Sequence, residues 1–269
     1  MLAAVVQLNS QDDVAHNLGR VRAWVARAAQ AGARLVTLPE NFAFFGDETR
    51  KRELAERLDD ASPGPIVSAL RDEAAARGVW VLGGGMPERS SDPARPYNTS
   101  VLVDPTGRVA AAYRKVHMFD VSLSDGTELR ESAATAAGDQ AVTAEVAGVR
   151  VGLSICYDLR FPELYRRLVD EGARVVTVPS AFTLTTGKDH WHALLRARAI
   201  ENQVWVLAPA QHGKHPRGRQ TYGKSLVVDP WGEVVAQCIE GEGFAVAPLD
   251  LDYQDRVRAS LPALQHRRL

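Results

Sequence analysis

The sequence predicts an α/β protein folded as a four-layer α-β-β-α sandwich with an internal pseudo-two-fold. Three observations lead there: the chain repeats itself, each copy alternates strands with helices, and each copy leaves one sheet face without helical cover. The repeat is direct. Ala33-Arg-Leu-Val-Thr-Leu-Pro-Glu-Asn-Phe42 returns as Ala173-Arg-Val-Val-Thr-Val-Pro-Ser-Ala-Phe182, with six of ten positions identical. Val79-Trp-Val-Leu82 returns as Val204-Trp-Val-Leu207, and Tyr97 to Gly107 returns as Tyr222 to Gly232, both at one common offset. Residues 1–269 thus read as a single domain of two half-repeats, roughly 1–147 and 148–250, with a C-terminal tail over 251–269.

Residues 2–8 are apolar and short enough for a strand. From Asp12 to Ala31, Val14, Leu18, Val21, Trp24, Val25 and Ala28 recur at helical spacing, and Gly32 suits a C-cap. Leu35 to Leu38 reads as a buried strand, Glu48 to Asp60 and Ile66 to Arg77 as helices, and 79–84, 97–103 and 108–113 as strands. Asp104-Pro-Thr-Gly107 has the composition of a type I turn between the last two. The second copy repeats the order: strand 149–155, helix 162–171, strand 174–178, helix 189–202, then strands 204–208, 222–228 and 233–238. Packing the two bare sheet faces together covers both. A single doubly wound sheet is the competing layout, and it leaves the duplication unexplained.

Composition narrows the function. With 32 basic and 33 acidic side chains the formal net charge is -1, which removes the electrostatic case for a nucleic-acid or membrane-surface partner. At 45% hydrophobic and 24% charged, with mean hydropathy -0.19, the chain falls in the ordinary globular range. No apolar run approaches the roughly 20 residues of a membrane-spanning helix. The N-terminus is apolar only through Leu8 and lacks a basic lead, so it reads as a strand and not a signal peptide. Two cysteines cannot staple a chain of this size, which favours a reducing, cytoplasmic setting.

Residues shared by the copies most economically serve the fold, so chemistry is sought where the copies diverge. Glu40 stands against Ser180, Cys156 against Asn9, and Lys115 against Glu240, each just beyond a strand end. Cys156 closes the run Val151-Gly-Leu-Ser-Ile155, and Phe161-Pro162-Glu163 then opens a helix. Such a strand-to-helix elbow is expected to place the sulfur in positive helix-terminal field, and a neighbouring ammonium lowers a thiol's pKa further. Lys115 could also donate to a developing oxyanion. Read singly, each has a bland alternative: a buried apolar thiol, a helix-start acid, a solvent-facing lysine. A metal site built from His190, His192 and a carboxylate lacks a recognised ligand pattern, and a binding module without activity is the other alternative.

Pro39-Glu40-Asn41, Tyr113-Arg-Lys115-Val-His-Met-Phe-Asp120 and Ile155-Cys156-Tyr-Asp-Leu-Arg-Phe-Pro-Glu163 resemble the three signature segments of the nitrilase, or carbon-nitrogen hydrolase, superfamily. The resemblance runs through Leu195 to Asn202, Tyr222 to Gly232 and Leu261 to Arg268, and so covers nearly the whole chain. It implies the αββα fold, a catalytic Glu-Lys-Cys triad at Glu40, Lys115 and Cys156, and a further glutamate at Glu131. It implies thioester chemistry on an amide with release of ammonia, the backbone N–H of Tyr157 beside Lys115 at the oxyanion, and Glu40 as a base with its pKa raised toward neutrality. No cofactor or metal is implied; homodimers or larger assemblies are, through the segment Phe161 to Gly172.

Within the superfamily the Cys156–Glu163 string resembles the Nit branch. Trp191 to Ile200, Tyr222-Gly-Lys-Ser225 and Gln265-His-Arg-Arg268 are closer to the deaminated-glutathione amidases than to the α-ketoglutaramate ω-amidases, which suggests metabolite repair. Both substrates carry carboxylates, so a cationic pocket is required. Arg160, Arg196 and Arg198 are candidate donors, with packing or pairing to Glu201 the simpler role for the last two. Ala181, Phe182 and Thr183, in the stretch Ser180 to Gly187, are expected to line the pocket. Ser122-Leu-Ser-Asp-Gly126 replaces a Pro-Gly that the resemblance leads one to expect, which leaves the shape of that loop open.

Overall fold

The computed structural model describes residues 1–59, 63–122 and 128–268. In chain order the elements are β1 (Leu2–Gln7), α1 (Val14–Gln30), β2 (Leu35–Thr37), α2 (Pro65–Arg77), β3 (Trp80–Glu88), β4 (Tyr97–Val103), β5 (Val109–Arg114), β6 (Asp120–Ser122), β7 (Glu128–Arg130) and β8 (Val142–Val146). There follow β9 (Val149–Leu153), α3 (Pro162–Asp170), β10 (Val175–Thr177), α4 (Leu184–Asn202), β11 (Trp205–Ala208), β12 (His212–Lys214), β13 (Gln220–Tyr222), β14 (Leu226–Val228), β15 (Val234–Gln237), β16 (Gly243–Pro248) and α5 (Leu251–Ser260).

Two six-stranded sheets run β16-β1-β2-β3-β4-β5 and β8-β9-β10-β11-β14-β15. In each, three central strands are parallel and the flanking ones antiparallel. The period of two in β1 sorts its residues between layers. Ala3 and Val5 join Leu35, Leu82 and Leu102 in the core shared with the second sheet, while Ala4 and Val6 pack with Val21 and Val25 of α1 and Leu70 of α2. The second sheet is covered by Leu164 and Leu168 of α3 and by Trp191 and Leu195 of α4. The order is therefore helix, sheet, sheet, helix, as the duplication predicts.

The halves also exchange strands. β8 precedes the second repeat, yet it pairs with β9 through a tight Ala147-Gly148 turn whose residues both have positive φ (50° and 81°). β16 closes the second repeat and pairs antiparallel with β1, Leu2 opposite Pro248.

Several expected elements differ. The helix expected over Glu48 to Asp60 is a single 3-10 turn, Glu48–Arg52; Asp60 lies outside the described residues. Backbone pairing wins there, because the Glu56 N–H donates to Pro87 O at 3.0 Å and the Arg89 N–H to Glu56 O at 2.9 Å. The Glu56 carboxylate then accepts the N–H groups of Ile66 and Val67 and caps α2. Helix α4 starts at Leu184, ahead of the expected 189; Gly187 permits this, since a Cβ there would lie 2.3 Å from Tyr222 Cβ. The strand expected over 222–228 is broken at Gly223 and Lys224, both left-handed (φ 71° and 59°), so β13 leaves the main sheet to pair with β12.

Candidate active site

Cys156 stands where β9 ends and a single 3-10 turn, Cys156–Arg160, begins. Its φ of 48° is left-handed, which costs a residue with a Cβ about 1–2 kcal/mol. Surrounding bonds hold it there. The Cys156 N–H donates to Pro179 O at 2.9 Å. Fully buried Asp158 accepts the Ile155 N–H (2.8 Å), the Tyr113 hydroxyl (2.7 Å) and the His117 N–H (3.1 Å), and faces His117 Nδ1 at 2.7 Å. Tyr113 and His117 flank Lys115, so one carboxylate fastens the lysine segment to the cysteine segment.

Glu40 follows β2, and Asn41 after it is also left-handed (φ 60°), with its N–H on Gly85 O. Room for Glu40 comes from an irregularity of β3 between Gly84 and Met86. A Cβ on Gly85 would lie 2.7 Å from Asn98 Oδ1 and 3.2 Å from Glu40 Cγ. The carboxylate is held on both oxygens: Oε1 accepts from Asn98 Nδ2 (2.9 Å) and Lys115 Nζ (3.2 Å), and Oε2 from the Ala181 N–H (2.9 Å). Lys115 Nζ reaches Glu131 at 2.7 and 2.9 Å, and Glu131 also accepts the Phe119 N–H. Glu40, Lys115, Glu131 and Cys156 line one cavity of about 620 Å³.

Comparison with known proteins shows the family. The family model described as carbon-nitrogen hydrolase matches residues 2–259. This chain belongs to the carbon-nitrogen hydrolase family. A deaminated glutathione amidase of Synechocystis sp. (strain PCC 6803) is 44% identical, over 99% of this chain and 97% of that protein. The Caenorhabditis elegans NitFhit crystal structure superposes with TM-score 0.92 at 41% identity, covering 99% of this chain and 65% of that one. Saccharomyces cerevisiae Nit3, a member of branch 10 of the nitrilase superfamily, superposes with TM-score 0.90 at 33% identity, covering 100% and 97%.

The charge state of this hydrolase's site departs from the sequence expectation. Burial alone would raise the Glu40 pKa, but the Lys115 ammonium, the Cys156 hydrogen bond and Lys51 outweigh it and hold the carboxyl below its usual range. Burial pushes the Cys156 thiol well up, and the negative Glu40 adds to this more than Lys115 relieves it. For Lys115, burial opposes the charge, and Glu131 and Glu40 override it and raise the pKa. The cause lies in the count: two carboxylates already surround one ammonium, so a thiolate would add a second uncompensated negative charge to a dry site. The helix behind the sulfur starts only at Pro162, too late to reverse that. At rest the pair is a neutral thiol beside an ionised carboxylate.

The remaining expected residues are dispersed around this centre. As the second residue of the 3-10 turn, Tyr157 has its N–H in the first turn, where helical donors lack an intrahelical acceptor; its ring meets Phe119 edge-on at 4.9 Å. Arg160 lines a small crevice off Cys156 with Tyr157, Phe182 and Thr183, and lies over the Phe182 ring at 5.2 Å. Ala181 lines both spaces while its N–H holds Glu40. Phe182 is buried against Trp191, and Thr183 precedes α4 with its hydroxyl 2.7 Å from that of Thr186. Arg196 donates to Gly232 O, and Arg198 to Leu159 O and Glu201, as the packing reading expects. The cations lining the larger cavity, besides Lys115, are Lys51, Arg130, Arg217 and Arg219, while Arg160 stands at the crevice off Cys156. Of the segment 122–126, only Ser122, at the end of β6, lies within the described residues.

Sequence reasoning passed over Asn98, whose amide bonds Glu40 and comes within 3.5 Å of Glu131. Its signal was present: Asn98 stands against Gly223 in the repeat, a further divergence.

Proposed function

We propose that this hydrolase cleaves the amide of deaminated glutathione, with Cys156 as nucleophile, Glu40 as the shuttling base, and Lys115 with the Tyr157 N–H as oxyanion donors. The observation that carries the chemistry is the meeting of a buried thiol, an ionised carboxylate and an ammonium on one cavity wall. As sulfur bonds to the carbonyl carbon, the thiol proton passes to Glu40 and negative charge moves to the carbonyl oxygen. Collapse breaks the C–N bond, and Glu40 returns the proton to the leaving nitrogen. Water then adds to the thioester with Glu40 again taking the proton, and the thiol is regenerated with the acid product. Glu131 holds Lys115 charged and in place.

In deaminated glutathione the amide nitrogen belongs to cysteinylglycine, so the first product to leave is that amine. Release of ammonia belongs to unsubstituted amides such as α-ketoglutaramate. The 43–44% identity to proteins named deaminated glutathione amidase supports this choice, and the cavity's volume suits a substrate of that size.

The test follows cysteinylglycine release from deaminated glutathione, beside ammonia release from α-ketoglutaramate and a simple aliphatic amide. A kcat/KM highest for deaminated glutathione is expected; a higher value for α-ketoglutaramate would reassign the substrate and leave the reaction class standing. Cys156→Ala should abolish turnover of every substrate with the fold intact by circular dichroism, and more than a trace of retained hydrolysis rejects the nucleophile. The proposal extends to a cytoplasmic homodimer joined around α3. Among the described residues no helix is long and apolar enough to cross a membrane, and sedimentation checks the dimer.

A further inference from the structure

Lys51 and Arg219 share one acceptor. Glu48 takes Lys51 Nζ at 2.7 Å and Arg219 Nη1 at 2.7 Å, and all three line the cavity that holds Cys156. Asp47 offers no relief, since one oxygen accepts the N–H and hydroxyl of Thr49 and the other takes Arg217. Two cations thus meet one carboxylate in the Lys51–Glu48–Arg219 group, a local surplus of positive charge that the Glu40 carboxylate offsets in part through Lys51. It is built into the fold. Glu48 and Lys51 are three residues apart on one 3-10 turn, Lys51 is only 8% exposed, and Arg219, from the β12–β13 connection, lies over the Phe45 ring at 5.5 Å. Burial opposes ionisation of Glu48, yet the two cations hold its carboxyl down at about 2, so it serves both as a single ionised acceptor. A partly desolvated surplus charge is costly until an anion completes it. The site also reaches the reaction centre, since Lys51 contributes to holding the Glu40 carboxyl low.

We propose that Lys51 and Arg219 together receive a carboxylate of the amide substrate, and that this group makes the hydrolase select carboxylated over neutral amides. The inference rests on the substrate reading above and adds the residues that enforce it. Bound carboxylate would be a second acceptor for both cations and would tie the Glu48–Arg52 turn to the β12–β13 connection across the cavity.

The experiment measures kcat and KM of the wild type, Lys51→Met and Arg219→Met on deaminated glutathione, on its glycine-end methyl ester and on its 2-oxo-acid-end methyl ester. On the free diacid each substitution should lower kcat/KM by about tenfold to a hundredfold, mostly through KM, as loss of a charge-assisted hydrogen bond does. The ester at the end seated on Lys51 and Arg219 should be poor for the wild type and far less sensitive to either substitution, which identifies that carboxylate. Lys51→Arg and Arg219→Lys should keep the preference for acid over ester. Equal losses on all three substrates, or an unchanged KM for the diacid, overturn the inference. Wild-type turnover of neutral amides with none of deaminated glutathione overturns the substrate reading and this inference with it.

Discussion

Where β2 ends the chain places Glu40, and where β10 ends it places Ser180; the two corners are related by the repeat and differ in nearly every chemical respect. At the first, Glu40, Lys115 and Cys156 converge, buried, and Asn98 ties down the carboxylate. At the second, the Ser180 hydroxyl donates to Val178 O at 3.0 Å, the Asn9 amide to Lys214 O at 3.1 Å and to the carbonyl of His212, and Glu240 is exposed. Two matched pairs also differ in backbone. Cys156 and Asn41 are left-handed, whereas their counterparts Asn9 and Ala181 are not. One scaffold thus supports two corners, one with its carboxylate at the surface and the other with charge buried beside left-handed backbone, the pattern expected of a functional site.

That contrast can be broken by mutation. Lys115→Met should lower kcat at least about a hundredfold, the scale of a lost oxyanion donor. A rise in KM alone would make Lys115 a binding residue and leave the first corner without its electrophile. Asn98→Ala should reduce kcat by about tenfold to a hundredfold, because it frees Glu40 of a hydrogen bond to charge. Ser180→Ala, at the related position, should change kcat by less than about threefold. Steady-state kinetics of the pair decide it: similar losses would mean that the second corner also serves the chemistry.

The pH dependence sharpens the picture. Glu40 has a lower pKa folded than unfolded, so its ionised form is present above about 4.5 and is lost only as pH falls through the depressed value. Its contribution to stability fades over the same acidic window. The Cys156 thiol, pushed well up, does not ionise by itself near neutrality. Alkylation of Cys156 by iodoacetamide should therefore stay nearly flat between pH 6 and 8, with Glu40 taking the proton. An ordinary thiol, with a pKa of about 8.5, speeds up nearly tenfold per unit across that range. A steep rise at Cys156 would show an independent thiolate and discard the neutral-pair description. The smallest effect is conformational: Cys156→Gly should unfold at higher denaturant than Cys156→Ala, by about 1 kcal/mol, since glycine tolerates φ near 48°.

Much of this was legible in the residues. Two copies with matched Pro-x-x-Phe segments dictated two sheets, and the alternating burial of β1 followed from its apolar run. Divergence between copies singled out Glu40, Lys115 and Cys156, whereas Glu131 emerged only through family resemblance. What escaped depended on tertiary neighbours. The direction of the Glu40 and Cys156 shifts reversed because the balance of two carboxylates against one ammonium exists only in the assembled site. The further cations Lys51 and Arg219 escaped for the same reason, since Arg219 meets Glu48 across 171 residues of chain. The β8 and β16 pairings stayed hidden because each strand leaves the repeat that contains it.

That crossing has a consequence for engineering. Each half finishes the sheet of its sibling, so a half-length polypeptide would carry a strand with nowhere to lie and an open edge awaiting one. Two such polypeptides restore both pairings by reciprocal donation, in the manner of a swapped pair. A design that severs the molecule at Ala147 leaves both of these pairings to be made between two chains.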